Sequence, residues 1–178
     1  MKRALIIGGI LVVTLLLSLF GLNRNPPLDT VEQVDLPRFM GKWYVIASIP
    51  TFLEKDIFNA TETYELLDGN KVATTFSFNK DSFDGERKTF EPMGFVESAN
   101  NAIWGMQFLW PIKADYRIIY LDDDYDTTII GRNKRDYVWI MARTPQINPD
   151  TYDLLVTLVD DVGYEVSNLV KVPQSRTN

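Results

Sequence analysis

The apolar and polar positions of the chain fall into three regimes. Residues Ala4 to Leu22 run for 19 positions without a charge and without an amphipathic stripe, and Lys2 and Arg3 stand just before them. As a helix such a run spans roughly 28 Å, about the hydrocarbon thickness of a bilayer. The positive flank predicts a cytoplasmic N-terminus, with everything after the run across the membrane. A signal peptidase reads small residues one and three positions before its cut, but Leu16 precedes Ser18 and Leu19 precedes Gly21 at that offset. An uncleaved signal-anchor and a cleaved signal peptide both stay open for residues 1–22. Asn23 to Pro37 is polar and holds three prolines; residues 23–34 read as a linker, extended in part.

The third regime has period two. Strands are expected at Lys42–Ile49, Ala60–Leu67, Lys71–Phe78, Arg87–Val96, Ala102–Leu109, Tyr116–Leu121, Thr127–Arg132 and Tyr137–Arg143. Most links between them are of hairpin length, so consecutive strands should pair in order. Eight such strands suggest an antiparallel up-and-down barrel or a sandwich. One segment changes period. Asn148-Pro149-Asp150 can cap a helix, and Tyr152, Leu155, Leu158, Val159 and Val162 then follow helical spacing up to Gly163. A single apolar stripe must lie against something, most simply the outer wall of the sheet. A short last strand, Ser167–Val172, ends the fold.

Alternation also nominates an interior. If Trp43 points inward, so do Val45 and Ala47. Tyr64, Phe76, Phe78, Trp104, Met106, Phe108, Tyr120, Tyr137 and Trp139 are the candidate lining on the other strands. The set is aromatic and apolar with a few hydroxyls, which suits an acyl chain. The links after the first, third, fifth and seventh strands share one end. They carry Phe52, Trp110 and Ile112, with Lys113 beside them, and exposed apolar groups around an opening mark contact with a membrane or partner. Lys55, Lys80, Arg87, Lys134 and Arg135 lie nearby and are candidates to attract an anionic headgroup.

Composition narrows the chemistry. The 178 residues contain neither Cys nor His. That removes thiol nucleophiles, disulfides, His-ligated zinc and a Ser-His-Asp relay. Eighteen basic against 24 acidic residues give a net charge of −6, which argues against nucleic acid. The Asp122–Asp126 run lacks the Gly and the distal Glu of an EF-hand loop and reads as a solvated acidic turn. No metal and no cofactor is expected.

Gly41-Lys42-Trp43-Tyr44 resembles the lipocalin entry motif on the first strand. Asp124-Tyr125 resembles the family's second motif, in the turn before the seventh strand. Arg143, ending Trp139-Ile140-Met141-Ala142-Arg143-Thr144-Pro145, resembles the third. The closest resemblance is to the bacterial lipocalin (Blc) and apolipoprotein D family. It implies an all-β fold: an eight-stranded up-and-down barrel over residues 35–174, with one C-terminal helix packed outside and a short final strand. The N-terminal membrane helix precedes it, and residues 175–178 are a tail. Gly41, Trp43, Asp124, Tyr125 and Arg143 are then structural, Arg143 stacking on Trp43 at a plugged floor.

The resemblance further implies non-catalytic binding of fatty acids, lysophospholipids or similar single-chain lipids on the periplasmic side of a bacterial envelope, for storage, transport or membrane maintenance. A homodimer stays open. The other readings are a lipocalin-fold enzyme, with Glu62, Asp136 and Tyr137 as its mouth-side candidates, and a membrane-tethered scaffold for an envelope protein. Two departures stand out. Phe76 occupies a position where related lipocalins often carry a polar residue, implying a drier cavity. The lipid-attachment cysteine is missing, so the apolar run is the one visible tether.

Overall fold

The computed structural model describes residues 26–51 and 54–175. The apolar run 1–22, Phe52, Leu53 and residues 176–178 lie outside them. No helix among the described residues is long and apolar enough to cross a membrane. The elements are α1 (Leu36–Phe39), β1 (Gly41–Ile49), β2 (Ile57–Leu67), β3 (Lys71–Lys80), β4 (Arg87–Phe90), β5 (Met93–Val96), β6 (Ile103–Leu109), β7 (Ile112–Leu121), β8 (Thr127–Gly131), β9 (Val138–Ala142), α2 (Pro149–Asp161) and β10 (Val170–Lys171).

Every pairing is antiparallel between neighbours, and β1 with β9 closes the sheet into a barrel. The fourth strand, expected unbroken, is split at Glu91-Pro92. Proline has no N–H to give the ladder, so β4 pairs the upper half of β3 (Phe76 opposite Phe90) and β5 the lower half (Val72 opposite Gly94). With β4 and β5 taken as one interrupted strand, the barrel has eight. Strand β1 is shared along its length. Gly41–Tyr44 pair with β2, while Ala47 and Ser48 pair with β10, which takes over that edge higher up.

Two bulges overturn the simple alternation. Val45 sits opposite Met141 but Ala47 opposite Ile140, so Ile46 is an extra residue on β1. A bulge flips every later side chain to the other face. Ala47 therefore packs outside under α2, and Ser48 faces inward. The same slip occurs on β7, where Ile118 faces Ile130 and Tyr120 faces Ile129. Tyr120, expected in the lining, joins the outer cluster instead.

That outer cluster seats α2. Leu155 and Val159 are buried with Ala47, Ile49, Ile129, Val138 and Ile140. Asn148 caps the helix, its Oδ1 accepting from the Asp150 N–H at 2.8 Å, with Pro149 in the first turn. Gly163 follows at φ +90°, a left-handed conformation that favours glycine. Residues 26–34, read above as a linker, lie against the barrel. The Leu28 N–H donates to Asn133 Oδ1 (2.8 Å), Val31 to the Ile118 carbonyl (3.1 Å) and Val34 to the Asn100 carbonyl (2.9 Å).

One end is closed by aromatic rings and one guanidinium. Phe39, Trp43, Tyr64, Trp104 and Tyr116 stack with centroids 5.0–6.3 Å apart, and the Tyr64 and Tyr116 hydroxyls meet at 2.8 Å. Arg143 lies over Trp43 with its Cζ 3.7 Å from the ring centroid. Its N–H groups donate to the carbonyls of Arg38 (2.7 Å), Lys42 (3.0 Å), Phe39 (3.1 Å) and Tyr125 (3.2 Å). Gly41 begins β1 beside it at φ +90°. The Tyr125 hydroxyl accepts from the Asp35 N–H at 2.9 Å and so ties α1 to the β7–β8 turn. Asp122 orders that turn, accepting from the Asp126 and Thr127 N–H groups at 2.7 and 2.8 Å, while Asp124 is exposed.

Replacing Arg143 with Ala takes a donor from four carbonyls at the floor, of which only that of Phe39 keeps the Trp43 indole N–H. The expected loss is about 2–4 kcal/mol in urea or thermal unfolding, and Arg143→Lys should recover only part of it, because an ammonium lacks the planar fork.

Candidate functional site

The other end opens on a cavity of about 480 Å³. Its walls are Phe76 from β3, Phe90 and Pro92 at the break in the fourth strand, Met106 and Phe108 from β6, Ala114, Asp115 and Tyr116 from β7, and Tyr137 and Trp139 at the start of β9. Phe76 and Trp139 face each other at 5.1 Å between centroids, and Tyr137 packs on Trp139 at 5.2 Å. Of the nine residues expected in the lining, Phe76, Met106, Phe108, Tyr137 and Trp139 meet around this space. Tyr64 and Trp104 belong to the floor, and Phe78 is buried beside Phe76 and Phe90.

The cavity is mainly apolar but not wholly so. Glu62 on β2 is 1% exposed, lies between Trp43 on one neighbouring strand and Phe76 on the other, and lines the base. Its Oε2 has no hydrogen-bond partner among the described residues. Burial, and then the negative charge of Glu54, push its carboxyl well above the ordinary value of 4.5. Glu54 comes from the β1–β2 link and, with Thr51, lines the cavity. Its Oε2 accepts from the Thr51 N–H (2.9 Å) and its Oε1 from the Tyr137 hydroxyl (3.1 Å). Its carboxyl is also raised by burial, the hydrogen bonds opposing the shift. Burial raises the Tyr137 hydroxyl too, with the Glu54 charge acting in the same sense. The Trp139 indole N–H is buried, with no hydrogen-bond partner among the described residues. Arg132 reaches the rim from the end of β8, its Nε 3.2 Å from Asp136 Oδ1.

Glu62 was visible in the sequence as a mouth-side candidate. Its depth was hidden, because period two places a residue on a face and not at a height. Glu54 lies in a link and carries no periodicity signal.

Most candidate rim cations already have partners. Lys113 lies 2.9 Å from Glu97 and over the Phe95 ring, Lys80 lies 3.2 Å from Asp81, and Arg87 donates to Asn79. Arg135 donates to the carbonyls of Pro26, Asn133 and Val162. The β6–β7 hairpin, in contrast, presents apolar groups: Leu109 is 71% exposed, Trp110 81% and Ile112 68%. Phe83 packs edge-on against Phe58 at 5.0 Å. Phe52 lies outside the described residues.

A family model for the lipocalin-like domain matches residues 34–174. The chain belongs to the lipocalin-like family. Among curated lipocalins it is 32% identical to temperature-induced lipocalin-1 of Arabidopsis thaliana, over 88% of each chain. It is 28% identical to the outer membrane lipoprotein Blc of Escherichia coli K12, over 85% of this chain and 87% of the relative. It is also 28% identical to apolipoprotein D of Bos taurus, over 87% and 85%. Insecticyanin from the tobacco hornworm Manduca sexta superposes with a TM-score of 0.66 at 17% identity, covering 85% of this chain and 86% of that one, which speaks for the lipocalin fold alone. The resemblance read from Gly41–Trp43, Asp124–Tyr125 and Arg143 is thus the family to which the chain belongs, with the Blc and apolipoprotein D proteins among its relatives.

The raised carboxyl gives a signed expectation. A group whose folded value lies above its unfolded value of 4.5 holds its proton more tightly in the folded state. Stability is then full below the unfolded value and falls as pH rises through the folded one. The melting temperature should therefore drop as pH is raised from about 4.5 through the Glu62 transition, and Glu62→Gln should flatten that slope; an unchanged slope in the variant would remove the assignment to Glu62.

Proposed function

We propose that this lipocalin is a non-catalytic carrier of single-chain amphiphiles, among them the fatty acids and lysophospholipids that the sequence suggested. The observation that carries the reading is the cavity of about 480 Å³ walled by Phe76, Phe90, Met106, Tyr137 and Trp139. Its size lies within the range of small-ligand sites, and its aromatic and apolar walls suit a methylene chain. The relatives support the same reading by name, one an outer membrane lipoprotein and the other an apolipoprotein.

Storage, transport or membrane maintenance in a bacterial envelope is the setting that fits. Two features support a mouth turned toward the bilayer. The exposed Leu109, Trp110 and Ile112 stand at the open end. Pro26 is held by Arg135 in the β8–β9 loop of that same end, and the apolar run ends at Leu22, four residues earlier. A tether so short keeps the opening close to the surface in which the run would sit.

Solvent extraction of the purified barrel should release single-chain lipid, and a lysophospholipid should quench Trp fluorescence in wild type with a much smaller response in Trp139→Leu. An empty extract together with an unresponsive titration would sink the carrier reading. In a separate vesicle-sedimentation assay, Trp110→Ser combined with Ile112→Ser should lower association with liposomes several-fold. Equal sedimentation of the variant would remove the membrane-facing mouth and leave the carrier reading intact.

A further inference from the structure

The lining of the cavity bears a charge pattern that its apolar character hides. Five titratable side chains line it: Glu54, Glu62, Glu91, Asp115 and Arg132. Two of these charges are met locally. Asp115 accepts from Arg117 Nε at 3.0 and 3.1 Å, and Arg132 lies 3.2 Å from Asp136. Glu54, Glu62 and Glu91 have no cationic partner among the described residues. The lining is therefore rich in acids, and one of its polar atoms, Glu62 Oε2, is buried with no hydrogen-bond partner among the described residues.

We propose, on the carrier reading above, that the cavity selects amphiphiles whose head is a protonated primary amine and that this head inserts first, its N–H groups meeting Glu62 at the base. The chain then runs toward the mouth past Phe76, Phe90, Met106 and Trp139.

Three physical comparisons favour this head over others. A carboxylate or phosphate at the base brings a second anionic group beside Glu62 and Glu54, so the acids there can ionise only against its charge, and like charges in a poorly solvated space repel strongly. A lipid entering tail-first places a methyl group against Glu62 Oε2 and leaves that oxygen without a partner, the costly arrangement for a buried polar atom. An ammonium brings three donors and the complementary charge. Burying an ammonium alone is prohibitive, but here the acid is desolvated in the folded protein already, so the pair forms at a carboxyl held in place, which releases its proton to solvent as the ammonium arrives. The Arg132 guanidinium does not cancel this preference, because Asp136 offsets it at the rim.

The test is calorimetric titration of the full-length barrel at pH 7 with dodecylamine and with sodium laurate, each below its micelle concentration. The expected result is at least tenfold tighter binding of dodecylamine, with the preference collapsing toward equality in Glu62→Gln. Laurate binding as tightly as dodecylamine to wild type overturns the proposal without recourse to any variant. An unchanged preference in folded Glu62→Gln overturns the role of Glu62. Glu54→Gln, which removes the neighbouring charge and leaves the base carboxyl, should reduce the preference less than Glu62→Gln; the reverse order overturns the head-at-the-base geometry. If neither compound binds while a lysophospholipid still quenches Trp fluorescence, the amine preference fails and the carrier reading stands. If that quenching is absent as well, both fail.

Discussion

A hollow barrel holds a cavity at one end only if the other end is sealed, and here the seal depends on the stacking of Arg143 over Trp43. Closing strands around an axis leaves carbonyls at the rim with no ladder partner, and each needs a donor from elsewhere. Four of them, from Arg38, Phe39, Lys42 and Tyr125, converge on one guanidinium. The same guanidinium covers the face of Trp43, whose own N–H donates to the Phe39 carbonyl at 2.9 Å. Burial pulls the Arg143 pKa below its ordinary value of 12.5, the Asp126 charge opposing it, yet an arginine so far above neutrality stays charged. One residue at the end of β9 thus ties together α1, the start of β1 and the β7–β8 turn. Segments distant in sequence close on a single charge.

With the floor fixed, the walls above it are free to leave space. The Phe39, Trp43, Tyr64, Trp104 and Tyr116 cluster fills the lower barrel, and Phe76, Phe78 and Phe90 begin a second aromatic layer against Trp139. Between the layers the packing stops being complete. The break at Glu91-Pro92 contributes to this, because it splits the fourth strand and turns Phe90 and Pro92 toward the opening. A proline that weakens the sheet by a ladder hydrogen bond also shapes the mouth. Glu54, from the β1–β2 link, joins the same lining and accepts from the Tyr137 hydroxyl.

Much of this was legible in the chain. The Gly41–Trp43 and Arg143 motifs located the floor, period two found the strands, and the cap at Asn148-Pro149 with the stripe through Leu155 and Val159 found the outer helix. What failed did so for definite reasons. A bulge adds one residue to one strand, and nothing in the composition of Val45-Ile46-Ala47 or Ile118-Ile119-Tyr120 announces it, since every residue there is at home in a strand. Ala47 and Tyr120 consequently sit on the opposite face from their expected one. Residues 26–34 look like a tether because they are polar and proline-bearing, but Leu28 and Val34 are buried, one in each cluster. Their backbone finds partners on β7 and neighbouring loops, and a sequence pattern does not record a partner so far along the chain.

Glu62 is the position where local rules and the fold disagree most, and that disagreement is informative. A carboxyl with an unmet oxygen inside an aromatic barrel lowers stability, and a Val or Phe on that face of β2 would pack without the penalty. Residues that break the packing rule without a compensating contact in the free protein concentrate where a protein handles something else. Glu62 is also placed where the fold tolerates it, because its β1 neighbour is Trp43, the ring that Arg143 clamps. An acid on a loosely held strand would relieve its burial by swinging toward water. Here the floor prevents that movement, so the stability gathered at the closed end holds a destabilising carboxyl in reach of whatever enters the open one.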